Sequence, residues 1–173
     1  VLEEMGRATT AGPYFATAVL GIGALAVLEP GPGRDELLRL AATGGCRLAV
    51  TIGEDGFGVR EDGDGLRVDG RADFVAGPAD ADRLLLVARD ADGAPVVVPV
   101  SPGDAGVRVE AQPVLDATRR LARVTADGAH VSAGSRWRFA GDPEAAVRRL
   151  RDRAAVALAC DSLGLSEAML DAT

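Results

Sequence analysis

The chain contains no lysine and no asparagine, a single histidine, two cysteines, and among aromatics only four Phe, one Tyr and one Trp in 173 residues. Each scarcity excludes something. Its 19 basic residues are all Arg and face 26 acids, for a net charge of −7. Neutralising phosphates needs a basic surface, so a nucleic-acid partner is not expected. With so few aromatics, the core must be built from Ala, Val and Leu. Cys46 and Cys160 lie far apart and match no metal-ligand spacing. They read as small buried residues of a protein from a reducing cytoplasm, not as a disulfide framework or zinc site. His130 stands alone in a strand after a turn, with no Ser or Cys arranged for a triad. No catalytic and no metal-ligating constellation is predicted.

What is present suffices for one well-buried core with helical extensions, since 47% of the residues are hydrophobic and 26% charged. Ala11 to Leu28 carries no charge and approaches the length of a bilayer span. Gly12, Pro13, Gly21 and Gly23 interrupt it, and Glu3 and Glu4 precede it where a basic flank would stand. A buried core helix is expected and no membrane span. Within that run Gly21-Ile22-Gly23-Ala24-Leu25-Ala26 fits the G-x-G-x-x-A form of a dinucleotide fingerprint, but no acid lies about 20 residues on, where one would hold the ribose. Small residues for close helix packing are the better account.

The expected order is helical at both ends and β in the middle. Val1 to Arg7 reads as part of an amphipathic helix, Tyr14 to Leu28 as a second, and Gly33 to Thr43 as a third stopped by Gly44-Gly45. Strands are expected at Arg47–Ile52, Gly58–Glu61, Leu66–Val68, Leu84–Ala88, Val96–Val100, Val107–Glu110 and Leu121–Thr125, followed by an Asp127-Gly128 turn and His130-Val131. Turns at Asp62-Gly63-Asp64-Gly65 and Asp90-Ala91-Asp92-Gly93 separate strand pairs. The first resembles a calcium loop, yet Leu66 and Arg67 stand where a ligand and the obligatory Gly belong. Such spacing predicts an antiparallel barrel or sandwich. Asp142-Pro143-Glu144 then starts a helix that runs to Thr173. Thirty helical residues would span about 45 Å, more than a small barrel covers. A segment of a longer protein is therefore expected, with partners for the apolar C-terminal half of that helix. The fold class is α+β, an antiparallel β-barrel or sandwich flanked by helices, divided at residues 1–45, 46–141 and 142–173.

The order of motifs is similar to that of the acyl-CoA dehydrogenases over nearly the whole chain. Val1 to Pro13 resembles the family's "EELGRA…PGP" helix, and Leu48-Ala49-Val50-Thr51 its strand ending in Thr-Glu-Pro. Asp64 to Val75 resembles "DGDGYVLNGEKMWIT", Ala79 to Arg89 resembles "ADWFLVLAR", and Ala155 to Thr173 resembles the first long helix of the C-terminal domain. The resemblance implies a middle barrel holding one face of FAD, with strand ends donating hydrogen bonds to the flavin's polar edge, where hydride arrival leaves negative charge. It implies cofactor contacts from Leu48, Val50, Thr51, Phe74, Val75 and Ala76, with Thr51 as hydroxyl donor and Phe74 in the place of a Trp against the ring. Phe57 takes the place of a Ser that touches the acyl-CoA. Ile52 and Gly53 replace Glu-Pro, and Ala76 replaces a hydroxyl residue. The implied reaction removes the α-proton of an acyl-CoA thioester and passes the β-hydrogen as hydride to FAD, with electron-transfer flavoprotein or a similar acceptor as partner and a homo- or hetero-oligomer as the assembly. The base and the rest of the cofactor site lie in the family's C-terminal domain, so this segment alone should be inactive. The alternative is a non-catalytic structural subunit of a heteromeric dehydrogenase with a degenerate FAD pocket.

Overall fold

A computed structural model describes residues 1–53, 56–116 and 118–173. Among these residues four α-helices and eight strands follow the expected order: α1 Leu2–Arg7, a π-helical segment Tyr14–Gly21, α2 Ile22–Ala26, α3 Pro32–Ala42, then β1 Leu48–Thr51, β2 Phe57–Asp62, β3 Gly65–Ala76, β4 Arg83–Arg89, β5 Pro95–Val100, β6 Val107–Ala111, β7 Leu121–Ser132, β8 Trp137–Arg138 and α4 Pro143–Asp171. The α+β class holds. Among the described residues no helix is long and apolar enough to cross a membrane.

The strands form one eight-stranded sheet in the order β6-β7-β3-β2-β4-β5-β8, with β1 paired to β4. Most pairs are antiparallel, as expected from the short turns. Two are parallel: β1 lies along the first half of β4, and the start of β2 along its end. Local turn chemistry signals hairpins only, so these two long-range pairings left no mark in the sequence. Asp127-Gly128 is not a turn either. β7 runs on through it with an extra residue opposite β3, a bulge in which Gly128 takes φ +62 and its N–H is held by the Asp69 carboxylate at 2.7 Å.

Two cores flank the sheet. One lies inside its curve and draws Ala49, Val59, Leu66, Val68, Leu84, Leu86, Val98 and Val124 from six strands. The other lies between Leu48, Val50, Leu85 and Val97 on the sheet and Leu20, Leu25, Leu37, Val147 and Leu150 on the helices. Small residues let the helices sit close. A Cβ on Gly21 would lie 2.6 Å from the Leu48 Cβ, and one on Gly164 would lie 1.8 Å from the Glu3 carbonyl oxygen. The glycine-rich run thus serves packing, as its missing acid implied.

The Tyr14–Leu28 helix differs from expectation in its interior. Its first eight residues are wound as a π-helix, a rare form that adds a residue per turn. Thr17 in this segment both donates to the Leu48 carbonyl, at 3.2 Å, and accepts from the Leu48 N–H, at 2.9 Å. That single hydroxyl fastens the helix to the start of β1. At the other end of the chain Asp142 caps α4 as read, its carboxylate accepting from the Ala145 N–H at 3.1 Å.

Candidate functional site

A cleft of about 810 Å³ opens where α1, the π-helical segment, the start of β1, the end of β3 and the 118–121 segment meet α4. Its apolar lining includes Met5, Phe15, Leu48, Phe74, Leu158 and Leu165. Charged side chains around it are paired within the chain: Arg120 with Asp80 at 2.7 Å, and Arg119 with Asp161 of α4.

Phe74 is where the expected site and this cleft coincide. An extra residue on β3 opposite β7 makes a second bulge at Asp73-Phe74, and there Phe74 adopts φ +54, the left-handed region costly to any residue with a Cβ. The residue is 62% exposed, whereas β-strand aromatics normally pack. The backbone is fixed by Gln112. The Phe74 N–H donates to Gln112 Oε1 at 2.6 Å, and Gln112 Nε2 donates to Asp73 Oδ1 at 3.0 Å. Asp73 in turn accepts from Arg123 Nε at 2.5 Å, and that hydrogen bond holds its carboxyl below the usual carboxylate range. Nothing in the local sequence points to Gln112, because its partners are 38 and 39 residues away; its only mark is that it is the single Gln of the sequence.

The other expected residues are placed as follows. Leu48 and Val50 point into the helix-side core, 1% and 3% exposed. Val75 and Phe57 point into the core inside the sheet, and Phe57 also borders a smaller pocket of about 270 Å³ with Arg89, Val147 and Arg151. Ala76 lines the large cleft beside Phe74. Thr51 is buried, and its hydroxyl oxygen accepts the Val87 N–H at 3.0 Å. Ile52 and Gly53, at the Glu-Pro position, are covered by a group the sequence did not announce: Arg151 of α4 donates to both their carbonyls, at 2.8 and 2.9 Å. Among the described residues no cluster has the make-up of a metal site.

A flavin needs fixed donors along its polar edge, and the expected wall does not fit that need as it stands. Ala76 carries no hydroxyl, and the Thr51 hydroxyl is buried against β4, where its oxygen accepts the Val87 N–H; the Leu48 N–H is given to Thr17 and the Phe74 N–H to Gln112. Donors satisfied inside the chain are not free for a ligand, and replacing each one costs about 1 kcal/mol.

Neither a protein-family model nor a curated protein matches the chain. Solved structures do. The ChsE4-ChsE5 complex from Mycobacterium tuberculosis is 27% identical, with a TM-score of 0.83 over 99% of this chain and 46% of that one. A Tcur3481-Tcur3483 steroid ACAD variant is 28% identical, with a TM-score of 0.75 over 98% and 46%. A glutaryl-CoA dehydrogenase from Mycobacterium smegmatis, solved in complex with FADH2, shares the fold at 15% identity, with a TM-score of 0.79 over 91% and 43%. The chain spans less than half the length of each. In fold and in order of elements, it resembles a segment of the acyl-CoA dehydrogenases.

Proposed function

We propose that this chain is the middle part of a non-catalytic subunit in a heteromeric acyl-CoA dehydrogenase, with flavin chemistry carried by the partner subunit. The carrying observation is the closed wall at the β3 bulge, where Gln112 takes the Phe74 N–H and Ala76 brings no hydroxyl. Two similar structures above 25% identity support the reading, one of them named as a complex of two proteins. In this role the chain's residues shape and hold. Thr17 fastens the π-helical segment to β1, Arg151 ties α4 to the β1 end, and the apolar cleft excludes water from whatever the assembly encloses.

A second reading keeps FAD, an acyl-CoA substrate and an electron-transfer flavoprotein acceptor for this subunit itself, with α,β-dehydrogenation as its reaction. The exposed Phe74 ring on the rim of the large cleft favours it, since a stacking surface for a planar ring needs such a side chain. Purifying the full-length protein with FAD, alone and together with its partner, separates the two. On the first reading the isolated subunit stays colourless and the complex carries flavin. A yellow isolated subunit that oxidises an acyl-CoA overturns it.

A further inference from the structure

Gln112 does more at the bulge than fill a turn, because its carboxamide presents an acceptor and a donor side by side. The acceptor, Oε1, meets the Phe74 N–H at 2.6 Å, and the donor, Nε2, meets Asp73 Oδ1 at 3.0 Å. Turned around, the bulge itself is a matched pair: one backbone donor and one carboxylate acceptor on successive residues, next to an exposed aromatic ring on the rim of a cleft of about 810 Å³. Such a pair recognises any group that carries a C=O and an N–H on one edge, which is the edge of a lactam or imide heterocycle. An exposed ring beside it supplies the stacking face for the same molecule. The strained φ of Phe74 fits this account. A left-handed phenylalanine costs free energy and needs surroundings that hold it, and Gln112 bonds to that residue's N–H.

We propose that Gln112 is an internal occupant of a ligand-facing edge. The Asp73–Phe74 bulge is an amide-recognising subsite for a planar lactam or imide ring, and in this chain the Gln112 carboxamide fills it and keeps such a ring out. The proposal rests on the reading of a subunit that does not hold flavin by itself, and it names the residue responsible. Arg123 completes the device, since its hydrogen bond to Asp73 keeps the carboxylate charged and facing Gln112.

The test uses the full-length protein and its Gln112→Ala and Gln112→Ser variants, titrated with lumiflavin and with N3-methyl-lumiflavin, which lacks the imide N–H. Wild type should show no saturable quenching of either ring. Both variants should bind lumiflavin at least about tenfold more tightly than wild type, the equivalent of one hydrogen-bonded competitor removed, and prefer it over the methylated ring. In parallel, amide exchange at Phe74 should be slow in wild type and faster in the variants. Exchange at Phe74 that is equally fast in wild type overturns the assignment without needing any variant to fold. Folded variants that gain no binding, or that bind both rings equally, overturn it as well. The two readings fail on different samples: unresponsive variants with a colourless wild type overturn only the role of Gln112, whereas a wild type that retains flavin by itself overturns both.

Discussion

β4 and β7 belong to one sheet, with β3 and β2 between them, yet they are written in different alphabets. β4 reads Leu84-Leu85-Leu86-Val87-Ala88, with Leu84, Leu86 and Ala88 in the core inside the sheet and Leu85 in the core beneath the helices. Both faces are covered, so no polar alternation survives. β7 buries Ala122, Val124 and Ala126 on one face and leaves Arg123, Thr125 and Asp127 toward solvent. The difference teaches where this molecule can meet something else. Helices close the β1–β4–β5 side, while the outer face of β3 and β7 stays open and carries Asp73, Phe74 and Arg123.

The most forceful way to break that comparison is to cut one side chain from each strand. Leu85→Ala should cost about 2–5 kcal/mol, because the side chain is fully buried and the helices above it cannot collapse into the hole. Thr125→Ala on the outer face of β7 should stay within about 0.5 kcal/mol. Urea unfolding of both variants measures the gap. Equal losses would mean that the outer face of β7 is covered after all.

A smaller loss is expected where the helices themselves touch. Gly164→Ala places a methyl 1.8 Å from the Glu3 carbonyl oxygen and 2.9 Å from the Arg7 nitrogen, both backbone atoms that can yield only if α1 lifts from α4. Overpacking of this kind costs about 1–3 kcal/mol. Lifting α1 also separates Arg7 from Glu167, so the variant should be cleaved faster by trypsin after Arg7. An unchanged cleavage rate would show that α1 is not held by this contact.

These two helices also show what was legible in the sequence. Strand after strand was announced by Val and Leu between Gly- and Asp-bearing turns, and α4 by Asp142-Pro143. Each of those signals is local. What went unread was long-range or geometric: the parallel seating of β1 and β2 on β4, the bulge at Asp127-Gly128 taken for a turn, and the π-helical winding of Tyr14–Gly21. At the site the same division applies. Phe74, Ala76 and Leu48, named through resemblance, line the cleft, Leu48 also packing in the helix-side core, while Val50, Val75 and Phe57 turn their side chains into the two cores. Gln112 and Arg151 were missed because their partners are set by folding, 38 and 99 residues away.

The helix cap offers a milder probe of the covered side. Asp142→Ala removes the acceptor for the Ala145 N–H and should cost about 1 kcal/mol, with Asp142→Asn restoring most of it. Since α4 supplies Val147 and Leu150 to the helix-side core, thermal unfolding should shift while the outer-face network around Asp73 keeps its slow Phe74 amide. A shift in that amide would tie the two sides together more closely than their separate cores imply.

The smallest effect belongs to the open side and is read by acid. The Asp73 carboxyl is held below its ordinary range, first by the hydrogen bond from Arg123, against some desolvation, and then by the charges of Arg123 and Arg71. A carboxyl lowered in the folded state contributes stability that is whole above its unfolded value, about 4, and that fades as pH falls through the lower folded value. Asp69, Asp82, Asp116, Glu36 and Glu144 are lowered too, so wild type should lose stability in acid from many places at once. The share of Asp73 appears in a difference. Asp73→Asn keeps an acceptor for Gln112 but has no charge to lose, so between neutral pH and pH values below the unfolded carboxylate range wild type should fall slightly further than the variant. Parallel acid profiles would mean that Arg123 and Asp73 form an ion pair too solvated to matter, and that the edge beside Phe74 is held by hydrogen bonds alone.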